Sequence, residues 1–187
     1  MESALQAKPD RTTETESPLT MLPGGHELPP MFDLIELLFF AYRDFVGDAD
    51  RLLESIRFGR AHHRVLHFVN RQPGLTIAEL LDILRITKQS LSRVLKELLD
   101  EGYVESHSGV SDRRQRLLFP TVKGRRLALD LARLQSERVR RALAGLPADA
   151  RERAVEFLLA MIDPGERDKV QTLVSRDDGA ARQRLMR

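Results

Sequence analysis

The chain of 187 residues contains no cysteine. Disulfide bonds, zinc–thiolate sites and thiol-based redox sensing are therefore excluded. Apolar runs are also short: the longest, around residues 37–41, falls far below the roughly 20 apolar residues that a bilayer-spanning helix needs. The first residues are acidic and lack the basic-then-apolar order of a signal peptide. We therefore expect a cytoplasmic protein with no membrane partner.

Signatures of common catalytic sites are missing as well. The sequence has no Gly-x-Ser-x-Gly, no glycine-rich phosphate-binding loop and no His-Glu-x-x-His. Paired carboxylates such as Asp100 and Glu101 fall at a predicted helix end, where they are simply solvated. We therefore expect neither an enzyme nor a bound cofactor.

Charge is balanced overall but unevenly distributed. The 30 basic and 28 acidic residues leave a net charge of only +2. Residues 85–126 carry ten Lys/Arg against five Asp/Glu, whereas residues 1–36 carry two against seven. A basic centre beside an acidic segment indicates a polyanionic partner for the centre.

The two ends of the chain differ in composition from the middle. Residues 1–30 are rich in Thr, Ser, Glu, Pro and Gly and show no apolar period. They predict a disordered acidic tail. The alternative is a tail that is bound to the protein or lies along the surface of the dimer. Residues 164–187 follow the last predicted helix and are highly charged, which predicts a second tail, either a frayed helix or disordered.

Residues 31–46 are apolar on almost every side of a predicted helix. A helix of this kind needs partners on more than one face. Gly47 and Asp48 are expected to end it, and a short helix is predicted to follow as far as residue 56.

The remaining pattern alternates short helices with two strands. Thr76 and Glu79 form a Thr-x-x-Glu capping box at the start of one helix. Thr87 caps the next helix, which Gly102 ends. Helices are predicted at 60–70, 77–84, 87–101, 121–144 and 148–162, and strands at 103–107 and 115–120.

The predicted helix at 87–101 has two unlike faces. At about 100° per residue, Leu91, Val94, Leu95 and Leu98 fall on one side, and polar and basic residues on the other. Arginine can bind guanine, and glutamine can bind adenine. Hydroxyl groups near a helix N-terminus can reach phosphates. A solvated face is the alternative, but a capped helix before it and a basic hairpin after it favour DNA. The candidate DNA-binding residues are Thr76, Thr87, Lys88, Gln89, Ser90, Ser92, Arg93 and Lys96.

The predicted hairpin has a basic tip at residues 108–116. Arg113, Arg114 and Arg116 are further candidate DNA-binding residues, because arginines on a ribbon can enter a minor groove or contact phosphates. Asp112 is expected to brace an arginine or a backbone amide. The alternative is an ordinary soluble turn.

Several stretches together resemble the winged helix-turn-helix of the MarR family of bacterial transcription regulators. They are residues 72–80 (Gln-Pro-Gly-Leu-Thr-Ile-Ala-Glu-Leu), 86–93 (Ile-Thr-Lys-Gln-Ser-Leu-Ser-Arg) and 98–104 (Leu-x-x-Glu-Gly-Tyr-Val). Residues 112–114 (Asp-Arg-Arg) with 121–124 (Thr-Val-Lys-Gly) are similar to that family's wing and the start of its fifth helix.

The resemblance covers residues 31–163 and implies a fold. It is a mostly α winged helix-turn-helix with a small β-wing and with N- and C-terminal dimerisation helices. The DNA-binding lobe would span about 60–124, and the dimerisation helices about 31–56 and 121–163. The implied function is a transcription regulator that binds a pseudo-palindromic operator as a homodimer.

The wing departs from the family pattern at one point. Members often carry a second acid-x-Arg ahead of the one kept here as Asp112 and Arg114, but this chain has Gly109 and Ser111 there. A wing arginine contact expected at 111 is missing, which leaves Arg113 or Arg116 to substitute.

The resemblance also implies a small anionic aromatic effector, bound between the dimer helices and the DNA-binding lobe. Arginines and histidines beside aromatic residues could hold its carboxylate; alternatively the aromatics are core and the polar residues brace the lobe. The candidate pocket residues are Phe39, Tyr42, Arg43, His62, His63, Arg64 and His67.

Two other functions fit the sequence less well. His63 and His67 stand four residues apart, a spacing that can chelate a metal, but no further ligands clearly complete a set, so no metal site is predicted. A metal-responsive repressor is therefore one alternative. A winged-helix module that binds protein instead of DNA is the other.

Overall fold

The computed structural model describes residues 29–109 and 114–175. Helices α1–α4 and strand β1 come first, followed by strands β2 and β3 and helices α5 and α6. Their bounds are α1 Phe32–Glu54, α2 Arg60–Arg71, β1 Leu75–Thr76, α3 Ile77–Leu84, α4 Lys88–Asp100, β2 Val104–Ser108, β3 Arg116–Pro120, α5 Val122–Ala144 and α6 Ala150–Ala160. A 3₁₀ turn, Pro164–Glu166, then leads into a helical segment at 167–175, here named α7.

The chain divides into a unit that ends at Leu37 and a second unit from Leu38 onward. The predicted N-terminal tail lies outside the described residues except for its last two positions, and so do the wing-tip residues 110–113. Within the described ranges, none of the helices combines the length and hydropathy needed to cross a bilayer.

Three of the predicted helix starts are confirmed by capping hydrogen bonds. The Thr76 hydroxyl accepts the N–H of Glu79 at 3.2 Å, and the Glu79 carboxylate accepts the N–H of Thr76 at 2.8 Å. Thr87 and Thr121 cap α4 and α5 in the same way, at 3.1 and 3.0 Å. Each cap satisfies backbone donors that a helix N-terminus leaves without intrahelical partners.

The predicted break at Gly47 and Asp48 is wrong, because α1 runs unbroken through both residues. One glycine inside a helix costs only about 1 kcal/mol. Burial outweighs that cost, since Ala49 and Leu53 are almost fully buried in the core. Asp48 also pairs with Arg138 of α5 at 2.8 Å, and this hydrogen bond holds the pKa of the Asp48 carboxyl below its usual value.

The sheet has the order β1-β3-β2 and is antiparallel throughout. Strand β1 was not predicted, because it consists only of Leu75, which follows a Pro-Gly turn, and of Thr76, which caps α3. It pairs Leu75 with Leu118, and the N–H of Gly74 donates to the Leu118 carbonyl at 2.8 Å. The sheet thereby ties the base of the wing to the start of α3.

The core lies among α2, α3, α4 and the sheet, and includes the end of α1 and the start of α5. Leu91, Val94, Leu95 and Leu98 all lie in it and are at most 5% exposed, as the helical period predicted. Because these four side chains anchor one face of α4, the opposite face is held toward solvent.

Two helices leave apolar side chains uncovered. In the first part of α1 and the residue before it, nine large apolar residues are exposed: Met31, Phe32, Leu34, Ile35, Leu37, Leu38, Phe39, Phe40 and Tyr42. Helix α6 has no buried residue and exposes Val155, Phe157 and Leu158. These surfaces agree with the expectation that the first helix needs partners.

Candidate nucleic-acid interface

The outward face of α4 presents the predicted polar and cationic side chains to solvent. All of its candidate residues are exposed: Lys88, Gln89, Ser90, Ser92, Arg93 and Lys96. At the N-terminus of α4, the Thr87 hydroxyl donates to the Ser90 hydroxyl at 2.8 Å as well as capping the helix. Helix α3 begins in the same manner at Thr76, which is half-buried. The helix-turn-helix therefore offers hydroxyls at two helix N-termini and, on α4, a cationic face with an amide side chain opposite the buried leucines.

Helix α4 is braced from α2 by His62. The N–H of Gly59 donates to Nδ1 of His62 at 3.1 Å, which places the ring proton on Nε2. Nε2 lies 2.7 Å from a carboxylate oxygen of Glu97 on α4, and the ring stacks on Phe58 with centroids 4.4 Å apart. The His62 ring thus makes contacts within its own protomer, which agrees with the alternative in which the polar candidate residues brace the lobe.

The turn between α3 and α4 is fixed by two arginines. Nη2 of Arg64 donates to the Leu84 carbonyl at 2.9 Å. Arg85 ends α3 with φ +50°, a left-handed conformation that costs a non-glycine residue about 1–2 kcal/mol. Its guanidinium pairs with Glu166 at 2.8 Å. Neither Arg85 nor Glu97 was singled out from the sequence, since their partners are distant along the chain.

The β2–β3 ribbon of the wing is held by contacts at both of its ends. Gly109 N–H donates to the Gln115 carbonyl at 3.0 Å, closing the ribbon beyond β2 and β3. At the other end, Nζ of Lys123 donates to the Glu101 carbonyl at 2.8 Å and lies 4.0 Å from the centroid of the Tyr103 ring. Of the predicted wing arginines, Arg114 and Arg116 are exposed, whereas Arg113 lies outside the described residues.

The remaining candidate effector residues do not share one environment. Phe39 and Tyr42 are 67% and 56% exposed, so the alternative that placed them in the core is wrong for the protomer. Arg43 bonds its neighbour Asp44 at 2.9 Å. His63 is half-buried, which lowers its pKa, and its ring lies 6.5 Å from that of His67. Their role in binding a ligand stays a prediction.

A separate cleft opens between α1 and α5, with a volume of about 530 Å³. Leu52, Ile56 and Leu127 give it an apolar lining, Lys123 and Arg126 add positive charge, and Asp130 adds a negative charge. None of the seven predicted pocket residues lines it. Among residues 29–109 and 114–175, no three His, Asp or Glu side chains are grouped so as to hold a metal ion.

Comparisons with known proteins agree with this architecture. The sequence model of the MarR family matches residues 58–115. The HTH-type transcriptional regulator PetP of Rhodobacter capsulatus is 45% identical over an alignment of 159 residues that covers 82% of this chain and 96% of PetP.

Solved structures share the fold. A MarR transcriptional regulator from Methanosarcina mazei Go1 has a TM-score of 0.59 at 25% identity, covering 70% of this chain and 94% of its own. Streptococcus pneumoniae FabT, crystallised in complex with DNA, has a TM-score of 0.63 at 18% identity, covering 71% and 94%. The predicted winged helix-turn-helix is confirmed.

Proposed function

The chain belongs to the MarR family of helix-turn-helix transcription regulators, and from that premise we propose that it binds a pseudo-palindromic operator as a homodimer. Helix α4 would enter the major groove, and the β2–β3 wing would flank it along the backbone or minor groove. The observation that supports this best is α4 itself, with one face buried by leucines and the other exposed and cationic. A chromosomal DNA target also leads us to propose a cytoplasmic location.

Each side chain has a distinct role in this proposal. Arg93 and Gln89 would read bases, because their paired polar atoms match the major-groove edges of guanine and adenine. Thr76, Thr87 and Ser90 would contact phosphates at the two helix N-termini, where backbone N–H groups and the helix dipole favour anions. Arg114 and Arg116 would add wing contacts.

We expect Arg93→Ala to weaken operator binding by about 1–3 kcal/mol and to reduce discrimination against random duplex. The operator is first selected from a random duplex library with the parent chain. Fluorescence anisotropy then measures both dissociation constants over a range of salt concentrations. Arg133→Ala is the matched control, since Arg133 is an exposed arginine of α5 that pairs with Asp130.

If Arg93→Ala lost no more discrimination than Arg133→Ala, base reading by Arg93 would be ruled out. The salt dependence separates DNA binding from the protein-interaction alternative. Phosphate contacts release counterions and impose a steep decline of affinity with salt. A chain that selected no duplex, or bound every duplex without salt dependence, would favour a protein-binding module.

Dimerisation is proposed from the uncovered apolar surfaces of α1 and α6. A second copy of the chain offers the same surfaces, so a two-fold dimer can cover both sets at once. Two recognition helices related by that axis would meet half-sites about one helical turn apart. This spacing is what a pseudo-palindromic operator requires.

Effector control is proposed at the α1–α5 cleft. Its apolar lining and the charges of Lys123 and Arg126 suit a small aromatic anion, and the carboxylate of Asp130, which also lines the cleft, is paired with Arg133. With salicylate as probe, calorimetry on the DNA-free protein should show binding that Arg126→Glu weakens severalfold. Arg125→Glu is the control, because the neighbouring Arg125 is exposed and does not line the cleft. Equal salicylate binding by both variants would argue against this site.

A further inference from the structure

Helix α7 packs against the helix-turn-helix of its own chain. Val170 and Leu173 are half-buried and line one cleft with Phe68 of α2 and Ile83 of α3. Nη2 of Arg71, at the end of α2, donates to the Val174 carbonyl at 3.4 Å. A segment that the composition suggested as a charged tail is therefore seated on the DNA-binding lobe.

Ion pairs join the same segment to the turn that precedes α4. Glu166 accepts from Arg85 at 2.8 Å, and Lys169 bonds Asp82 near the end of α3. The hydrogen bond from Lys169 lowers the pKa of Asp82, and the pairing with Glu166 raises the pKa of Arg85. Lys169 also lies 3.8 Å from Glu166, so the contacts form one connected group.

The α3–α4 turn is thus held from two sides. Arg64 of α2 binds its backbone at Leu84, while Glu166 binds the side chain of Arg85. Only two residues separate Arg85 from the first residue of α4, so a shift of the turn moves the N-terminal end of the recognition helix. Small displacements matter there, because bidentate contacts to base edges depend on distance and angle.

We propose that Glu166 and Leu173 are positioning residues for operator recognition, which hold the α3–α4 turn and thereby the angle of α4. This inference rests on the proposed function. The inference predicts different effects on two affinities. Helix α7 should contribute to the affinity for the operator, but little to the affinity for random duplex, because the latter depends mainly on charge.

The first test undocks α7 in the full chain with Leu173→Asp. Gln171→Asp is its matched control, since it adds the same charge to the same helix at an exposed position. We expect Leu173→Asp to weaken operator binding by about tenfold relative to the control, the change that 1.4 kcal/mol produces. Random-duplex affinity should be the same in both variants. Circular dichroism checks that each variant is folded.

The second test exploits the sign of a charge change. Glu166→Gln removes the partner of Arg85 and makes the protein more positive, which by charge alone would strengthen DNA binding. Positioning predicts the opposite for the operator, a weakening of about two- to fivefold, in the range of an exposed ion pair. The control is Asp168→Asn, because Asp168 is exposed and lines a different surface with Gln171.

The proposal is overturned if folded Leu173→Asp binds the operator as Gln171→Asp does, or if Glu166→Gln matches Asp168→Asn. It is also overturned if operator and random duplex weaken by the same factor. Should Leu173→Asp fail to fold, the Glu166→Gln comparison decides alone. A parent chain that selected no operator would refute the proposed function instead, so the two failures are distinguishable.

Discussion

Gly124→Ala is expected to destabilise the protein by about 3 kcal/mol or more, the upper part of the range for overpacking. A Cβ on Gly124 would lie 1.8 Å from the Tyr103 carbonyl oxygen and 2.8 Å from its carbon. Both are backbone atoms, and that carbonyl already accepts the N–H of Thr121 at 3.1 Å. The first turn of α5 or the start of the wing must therefore move.

The sign of this effect opposes helix propensity, because alanine is normally favoured over glycine inside a helix by about 1 kcal/mol. Gly145→Ala is the control: Gly145 ends α5 at φ −94°, and a Cβ there would meet nothing within 4 Å. Denaturant unfolding followed by circular dichroism, at one fixed protein concentration, gives both free energies of unfolding. Equal values for the two variants would contradict the close packing of α5 on Tyr103.

Phe39→Asp is expected to convert the proposed dimer into a monomer and to weaken operator binding by about 100-fold or more. Phe39 is 67% exposed in the protomer, and a carboxylate in its place could not be buried against a second copy without a large desolvation cost. A monomer would bind one half-site at a time and lose the avidity of two linked contacts, typically worth 10²–10⁴.

Sedimentation equilibrium and operator titration measure the two effects together. Gln171→Asp again supplies the control, because it adds the same charge on an exposed position outside α1. The parent should sediment at twice the 21.3 kDa of one chain, whereas Phe39→Asp should sediment at the mass of a single chain. A parent that sedimented as a monomer, or a Phe39→Asp variant that stayed dimeric, would refute this account of the interface.

Local signals predicted most of the lobe correctly. The threonine caps at Thr76 and Thr87 and the four buried residues of α4 follow from hydrogen-bonding chemistry and helical period, which act over three or four residues. The exposed face of α4 follows from the same period. The assignment of its side chains to bases and phosphates stays a prediction, since it concerns a partner.

Longer-range features were the ones missed. The break predicted at Gly47 reflects a local preference that burial of Ala49 and Leu53 overrides. Strand β1 is too short to show an alternating pattern and exists because β3 pairs with it. Helix α7 occupies residues 167–175, within the segment for which composition left a frayed helix and disorder as alternatives, and its packing against Phe68 and Ile83 depends on residues distant in sequence.

The order of the helices, their capped starts and the two faces of α4 were all encoded locally, because neighbours within one turn decide them. Tertiary packing settled how α4 is held. The His62–Glu97 contact spans 35 positions and the Arg85–Glu166 pair 81, so no local pattern could reveal them. The need for a residue without a Cβ at position 124 is likewise visible only in the folded chain. It arises because the backbone carbonyl of Tyr103, which is distant in sequence, packs directly against Gly124 of α5.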